Sequence, residues 1–200
     1  LPDTVHELVY HAVIRLLDYQ DVSYAQLFLE RAKEVIAADS GENQYELSRH
    51  TLRFLALWMA FEDIPRVAQL KIRPEREAQI RSEVKADFRQ PVVITEFFHP
   101  RVEEVAALLP ARLGEFLLRS RHIRRWLEHL LGPRTLRTDT ILAELILRLL
   151  ASMRIVRRKT YGYAHEWIMI DRWYSAVLSA YSSETALAIA ECGGMVKGYG

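Results

Sequence analysis

Four ionisable residues crowd one short stretch of this chain: Glu62, Asp63, Arg66 and Lys71. They follow directly on Leu52–Phe61, where Arg53 is the one side chain that is not apolar. Carboxylates beside cations can move a proton, grip a charged ligand, or tie two segments together. The spacing favours ties. Glu62 and Arg66 are four apart, the reach of a helical ion pair, and neighbours such as Glu62 and Asp63 do not face each other on a helix as an acid–base pair must. Glu103 and Glu104 are adjacent in the same way. Arg53 needs a carboxylate or carbonyl if its face is buried; otherwise its stem runs along a helix edge with the charge in water. Arg53, Glu62, Asp63, Arg66 and Lys71 are therefore the candidate polar cluster, structural or functional.

No catalytic, cofactor-binding or metal-binding residue is assigned elsewhere. His6 and His11 are five apart and lie on different parts of a helix surface. His122 and His129 share a face but stand two turns apart, roughly 10 Å by helix rise, too far to share a metal. His165-Glu166 lacks the second histidine of a zinc-protease helix. Gly193-Gly194 and Gly198-x-Gly200 follow no strand, so they read as a helix terminator and not as a dinucleotide fingerprint. Cys192 is the only cysteine, which excludes an internal disulfide and a four-thiolate cluster.

The elements that must hold these residues read as helices. Thr4-x-x-Glu7 is a capping-box pattern, and Val5, Leu8, Val9, Ala12, Val13, Leu16 and Leu17 recur at helical spacing. Asp21 is the expected N-cap of a second helix running to Ser40-Gly41, completing an αα-hairpin. A third helix is expected from about Gln44 to Phe61. With Asp63 as N-cap, Pro65 falls in a first turn, where proline does no harm; Pro74 repeats the device ahead of a charged helix over 75–86. Residues 91–98, rich in β-branched and aromatic side chains, are expected to be extended, with 134–138 as the one conceivable partner. Helices follow over 101–109, from Pro110 to Gly132-Pro133, from Ile141 to about Met153 with Thr138 or Asp139 as cap, over Tyr161–Leu178 and over Ser183–Cys192. The fold class is mostly α, about eight helices in one domain over residues 1–200.

Half of the 200 residues are hydrophobic, enough for a sizeable core. The net charge is +1, but residues 112–159 carry 12 Lys/Arg against 4 Asp/Glu. That basic segment suits a solvated face or an acidic protein partner better than nucleic acid, because Phe116 and Trp126 fall on an apolar stripe expected to pack inward. No run of 18 apolar residues is present, so no membrane span is expected. One cysteine fits a cytoplasmic protein, and the chain is expected to be a piece of a longer subunit.

Several stretches together resemble one family. Leu17-Asp18-Tyr19-Gln20-Asp21 with Tyr24-Ala25 is similar to an element of the C-terminal region of the indolepyruvate ferredoxin oxidoreductase beta-subunit family. So are Arg53 and Leu55-Ala56-Leu57-Trp58-Met59 with Glu62-Asp63, Arg66-Val67-Ala68 and Leu70-Lys71, and Thr95-Glu96-Phe97. Tyr163-Ala164 with Glu166, Leu187-Ala188-Ile189-Ala190-Glu191-Cys192 and Lys197-Gly198-Tyr199-Gly200 extend the likeness to the end of the chain. The resemblance implies a parent among the 2-oxoacid:ferredoxin oxidoreductases, which oxidatively decarboxylate a 2-oxoacid to an acyl-CoA with thiamine diphosphate and iron–sulfur clusters and reduce ferredoxin. The likeness covers a helical extension beyond the catalytic-type domain, so it implies an accessory or assembly role, with the rest of the subunit, other subunits or ferredoxin as partners, and no catalytic residue here. The competing expectation is a helical binding module whose basic face over 112–159 docks an acidic protein.

Overall fold

In the computed structural model the described residues are all except 88, 99–100, 132–133, 138–139, 182–184 and 196–200. Helix α1 spans Asp3–Tyr19 and α2 spans Val22–Ala38. Asp21 caps α2, its carboxylate accepting the Tyr24 N–H at 2.9 Å. The capping-box reading of Thr4 fails: α1 already begins at Asp3, behind Pro2, with no side-chain cap. Proline at that position fixes the φ that starts the helix without any side-chain acceptor.

Between α2 and α3 (Glu46–Met59) the backbone turns left-handed. Gly41 takes φ +78°, and Asn43, Gln44 and Tyr45 take φ 52°, 57° and 58°. Each non-glycine there costs roughly 1–2 kcal/mol. The Asp39 carboxylate holds the reversal, accepting from Gly41 N–H at 3.0 Å, Ser48 N–H at 3.1 Å and the Ser48 hydroxyl at 2.6 Å. The third helix therefore starts at Glu46, later than the expected Gln44, and ends at Met59.

The chain divides into two compact units, Leu1–Glu62 with Glu166–Gly200, and Asp63–His165. In the first unit α1, α2 and α3 pack on one another and α11 (Ala186–Cys192) packs on α3. Its core holds Val5, Leu16, Tyr19, Tyr24, Phe28, Val35, Leu52, Leu55 and Met59, joined by Ile170 and Val177 of α10 (Tyr161–Ser179). Leu52–Met59 is thus a core helix, though Leu57 is exposed along with Arg53. Gly193 has ordinary helical angles, so the sharp helix end is not its reason for being glycine. A Cβ there would stand 2.8 Å from Phe54 Cβ and Trp173 Cζ2, and close approach explains it.

In the second unit α4 is Ile64–Lys71 and α5 is Pro74–Glu83. Thr95–Phe98 (β1) pairs antiparallel with Arg134–Arg137 (β2), Thr95 opposite Arg137 and Phe98 opposite Arg134. Helices α6 (Val102–Leu108), α7 (Ala111–Arg119), α8 (Arg121–Leu130) and α9 (Ile141–Ser152) complete it. Two small cores form. Ala68 of α4 meets Leu147 and Ala151 of α9, and Val102 and Ala106 of α6 meet Leu117 of α7.

The protein is mostly helical, with eleven α-helices among the described residues where about eight are expected. One added helix comes from the break at Ser120, whose ψ of 101° splits the expected helix after Pro110 into α7 and α8. Thr140 caps α9, accepting the Ala143 N–H at 3.2 Å, in place of the expected Thr138 or Asp139, which lie outside the described residues. Ser183, Lys197, Gly198, Tyr199 and Gly200 also lie outside them.

Candidate functional site

Asp63 is the centre of the polar cluster. It precedes a proline-started helix, and its carboxylate accepts the Arg66 N–H at 2.8 Å, with Pro65 in the first turn as the spacing predicts. The same carboxylate takes two guanidinium N–H bonds from Arg157, Nε to Oδ2 at 2.6 Å and Nη2 to Oδ1 at 2.9 Å. Arg157 is 1% exposed, in a short 3-10 turn after α9. A charge so deeply buried needs a charged, hydrogen-bonded partner, and the forked bidentate geometry is the strong form of such a pair. The pair ties the start of α4 to the turn that follows α9, and Ala68 of α4 already packs on Leu147 and Ala151 of α9.

The remaining candidates do not converge on it. Arg53 is exposed on α3, its guanidinium carbon 5.8 Å from the Phe54 ring centre. Glu62 is exposed. Arg66 Nη1 donates to Gln69 Oε1 at 3.0 Å, and Lys71 sits half-buried in the last turn of α4. The second carboxylate pair separates as its spacing predicts. Glu104 accepts the Arg101 N–H at 3.1 Å, whereas Glu103 meets Arg124 at 2.6 Å.

The first unit holds a second polar network, on α2 and α10, that the sequence reading missed. The Arg31 guanidinium carbon lies 4.7 Å from the Trp167 ring centre and 4.8 Å from that of Tyr174, and Nη2 donates to Asp171. The Tyr174 hydroxyl donates to Glu34 Oε2 at 2.8 Å. Burial, followed by that bond to Glu34, pushes the Tyr174 phenol well above its ordinary range. Tyr174 falls three residues after Asp171 and seven after Trp167, one face of a helix, which is the only signal the sequence offers. Glu166 also has a use: its Oε2 accepts the Trp58 indole N–H at 2.9 Å. His165 stacks on Tyr161. Among the described residues no group of three His, Cys, Asp or Glu side chains is placed to hold a metal ion, and no helix is long and apolar enough to cross a membrane.

The basic segment departs from its reading in two ways. Arg157 is no part of a solvated face, since it is buried against Asp63. Phe116 and Trp126, expected inside, are 62% and 65% exposed. Helices α7 and α8 turn Leu117 and Leu127 inward and leave Leu113, Phe116, Ile123, Trp126 and Leu130 toward solvent. Arg112, Arg119, Arg121 and Arg125 are exposed on the same two helices. Arg124 binds Glu128 and Glu103, which raise its pKa further, the Glu128 bond first.

Searches of curated proteins and of solved structures return no match. A family model described as a family of unknown function, DUF6537, matches residues 5–200. The match runs through both compact units, from α1 past the end of α11. The chain belongs to the DUF6537 family.

Proposed function

We propose that this chain is the helical accessory and assembly domain of a 2-oxoacid:ferredoxin oxidoreductase subunit of the indolepyruvate type, with no catalytic centre of its own. One observation carries the assembly half: the second unit leaves whole rows of large apolar side chains bare, above all Ile141, Leu142, Leu145 and Leu149 of α9. Extended apolar patches on a folded surface mark docking sites. The candidate polar cluster, by contrast, is occupied internally, with Asp63 capping α4 and holding Arg157. The oxidoreductase half rests on the resemblance over 17–25, 53–71, 163–166 and 187–192.

A cluster held by four thiolates needs four cysteines, and the chain has Cys192 alone, so this reading assigns the iron–sulfur clusters to other parts of the parent.

A second reading is favoured by one observation of its own. Exposed Phe116 and Trp126 beside Arg112, Arg119, Arg121 and Arg125 form a basic, aromatic surface suited to an acidic protein such as a ferredoxin. Viologen reduction by the full-length protein, dependent on indolepyruvate and coenzyme A, tests the parent activity. Full activity in a protein lacking this chain, with an unchanged number of subunits in the assembly, overturns the assembly reading. Ferredoxin reduction lost on Arg121→Glu/Arg125→Glu, with viologen reduction kept, favours the second reading for that face.

A further inference from the structure

Helix α9 is apolar around most of its circumference, yet only part of that surface is covered. Ala143, Leu147 and Ala151 are buried, against Ala68 of α4. At about 100° per residue, Ile141, Leu145, Leu149 and Leu142 fall on the opposite side. They are 82%, 58%, 67% and 68% exposed, and Ile146 forms the edge of the patch. A helix of this composition belongs inside a protein. Glu144 and Arg148 border the patch along one flank, joined by a 2.6 Å ion pair.

We propose that this face pairs with the same face of a second copy, antiparallel across a two-fold axis level with Ile146. The inference rests on the assembly reading in one respect, that the bare face of α9 is a docking surface; it adds the occupant. Charge order selects that occupant and its direction. In an antiparallel pair Glu144 of each copy comes opposite Arg148 of the other, giving two ion pairs related by the axis. A parallel two-fold pair puts the two Glu144–Arg148 flanks on opposite sides of the interface, so it gains no such ion pairs. A two-fold interface must be complementary to itself, and the order of charge along this patch meets that condition. Its Ile141, Leu145 and Leu149 form a ridge at intervals of four, the kind that interleaves with an identical helix.

Area points the same way. The five apolar residues leave bare the equivalent of about three whole leucines, so two copies together remove roughly 1,200 Å² from water, the lower end of a specific interface. That predicts a reversible dimer whose population rises with protein concentration.

Light scattering on the purified chain tests this. At high micromolar concentration the mass is expected at twice the chain's 23.3 kDa, falling toward one chain mass on dilution. Leu145→Glu is expected to stay at one chain mass with its circular dichroism unchanged. Arg148→Glu and Glu144→Arg are each expected to be monomeric alone and to form a one-to-one heterodimer when mixed. Both single variants lose the ion pair within their own helix, so restoration on mixing reports contact between copies. A wild-type chain that remains at one chain mass at high concentration overturns self-pairing, as does failure of the two charge variants to associate. In that case, loss of parent activity on Leu145→Glu keeps the assembly reading with another subunit on this face. Leu145→Glu without effect on mass or on parent activity removes both.

Discussion

Replacing Asp63 by alanine separates a structural knot from a reactive one. The carboxylate does two jobs: it caps α4 through the Arg66 N–H, and it neutralises the buried Arg157 guanidinium through two hydrogen bonds. Losing an N-cap costs about 1 kcal/mol. Removing one partner of a buried ion pair costs about 3–5 kcal/mol. The sum, about 4–6 kcal/mol, is a large part of the stability of a typical domain. For a chain of this length each kcal/mol lowers the melting temperature by about 2–4 °C, so Asp63→Ala is expected to melt at least about 8 °C below wild type. Asp63→Asn/Arg157→Met keeps a capping oxygen and removes the buried charge, and is expected to recover most of that loss, because a buried ion pair is often no more stable than an apolar replacement. Scanning calorimetry with urea unfolding followed by circular dichroism gives both values. An Asp63→Ala protein that melts within 2 °C of wild type (the scale of about 1 kcal/mol) refutes the reasoning and returns Asp63 to the functional candidates.

Other outcomes follow from single positions. Gly114→Ala places a Cβ 2.5 Å from Tyr161 Cβ and 2.6 Å from the Ala106 carbonyl oxygen; overpacking of this kind costs about 1–3 kcal/mol, measurable by urea unfolding. Gln44→Gly relieves a left-handed residue at an exposed position and is expected to raise stability by up to about 1 kcal/mol after the extra chain entropy of glycine. The Tyr174 phenol titrates higher in the folded chain than in the unfolded one, so its contribution is fully present below about pH 10 and is lost as pH rises through the folded value. Tyr174→Phe is therefore expected to flatten the alkaline limb of a stability–pH profile, and an unchanged slope above pH 10 (about the unfolded phenol pKa) contradicts the burial argument.

Local signals in the sequence were the most legible. Asp21 and Asp63 are caps because a short carboxylate just ahead of a helix reaches an amide three residues on, and nothing distant enters that geometry. The split at Ser120 was hidden because Leu113, Phe116, Leu117, Ile123, Trp126 and Leu127 keep a helical period straight through it. Arg157 looked like surface charge because its partner, Asp63, is 94 residues away. The Arg31 network was hidden for the same reason, Asp171 being 140 residues distant. Trp126 and the outer face of α9 show a different limit. Periodicity says which face of a helix is apolar, and it does not say whether this chain supplies the cover. Those uncovered faces are where sequence reasoning and structure part company, and they carry the functional proposal.

The most direct measurement of the central claim is viologen reduction with indolepyruvate, coenzyme A and thiamine diphosphate, compared between the isolated chain and the full-length protein. The account predicts turnover by the full-length protein, loss of that turnover on Leu145→Glu, and none by the isolated chain at any concentration. Turnover by the isolated 200 residues would place a catalytic centre inside this fold and contradict the account.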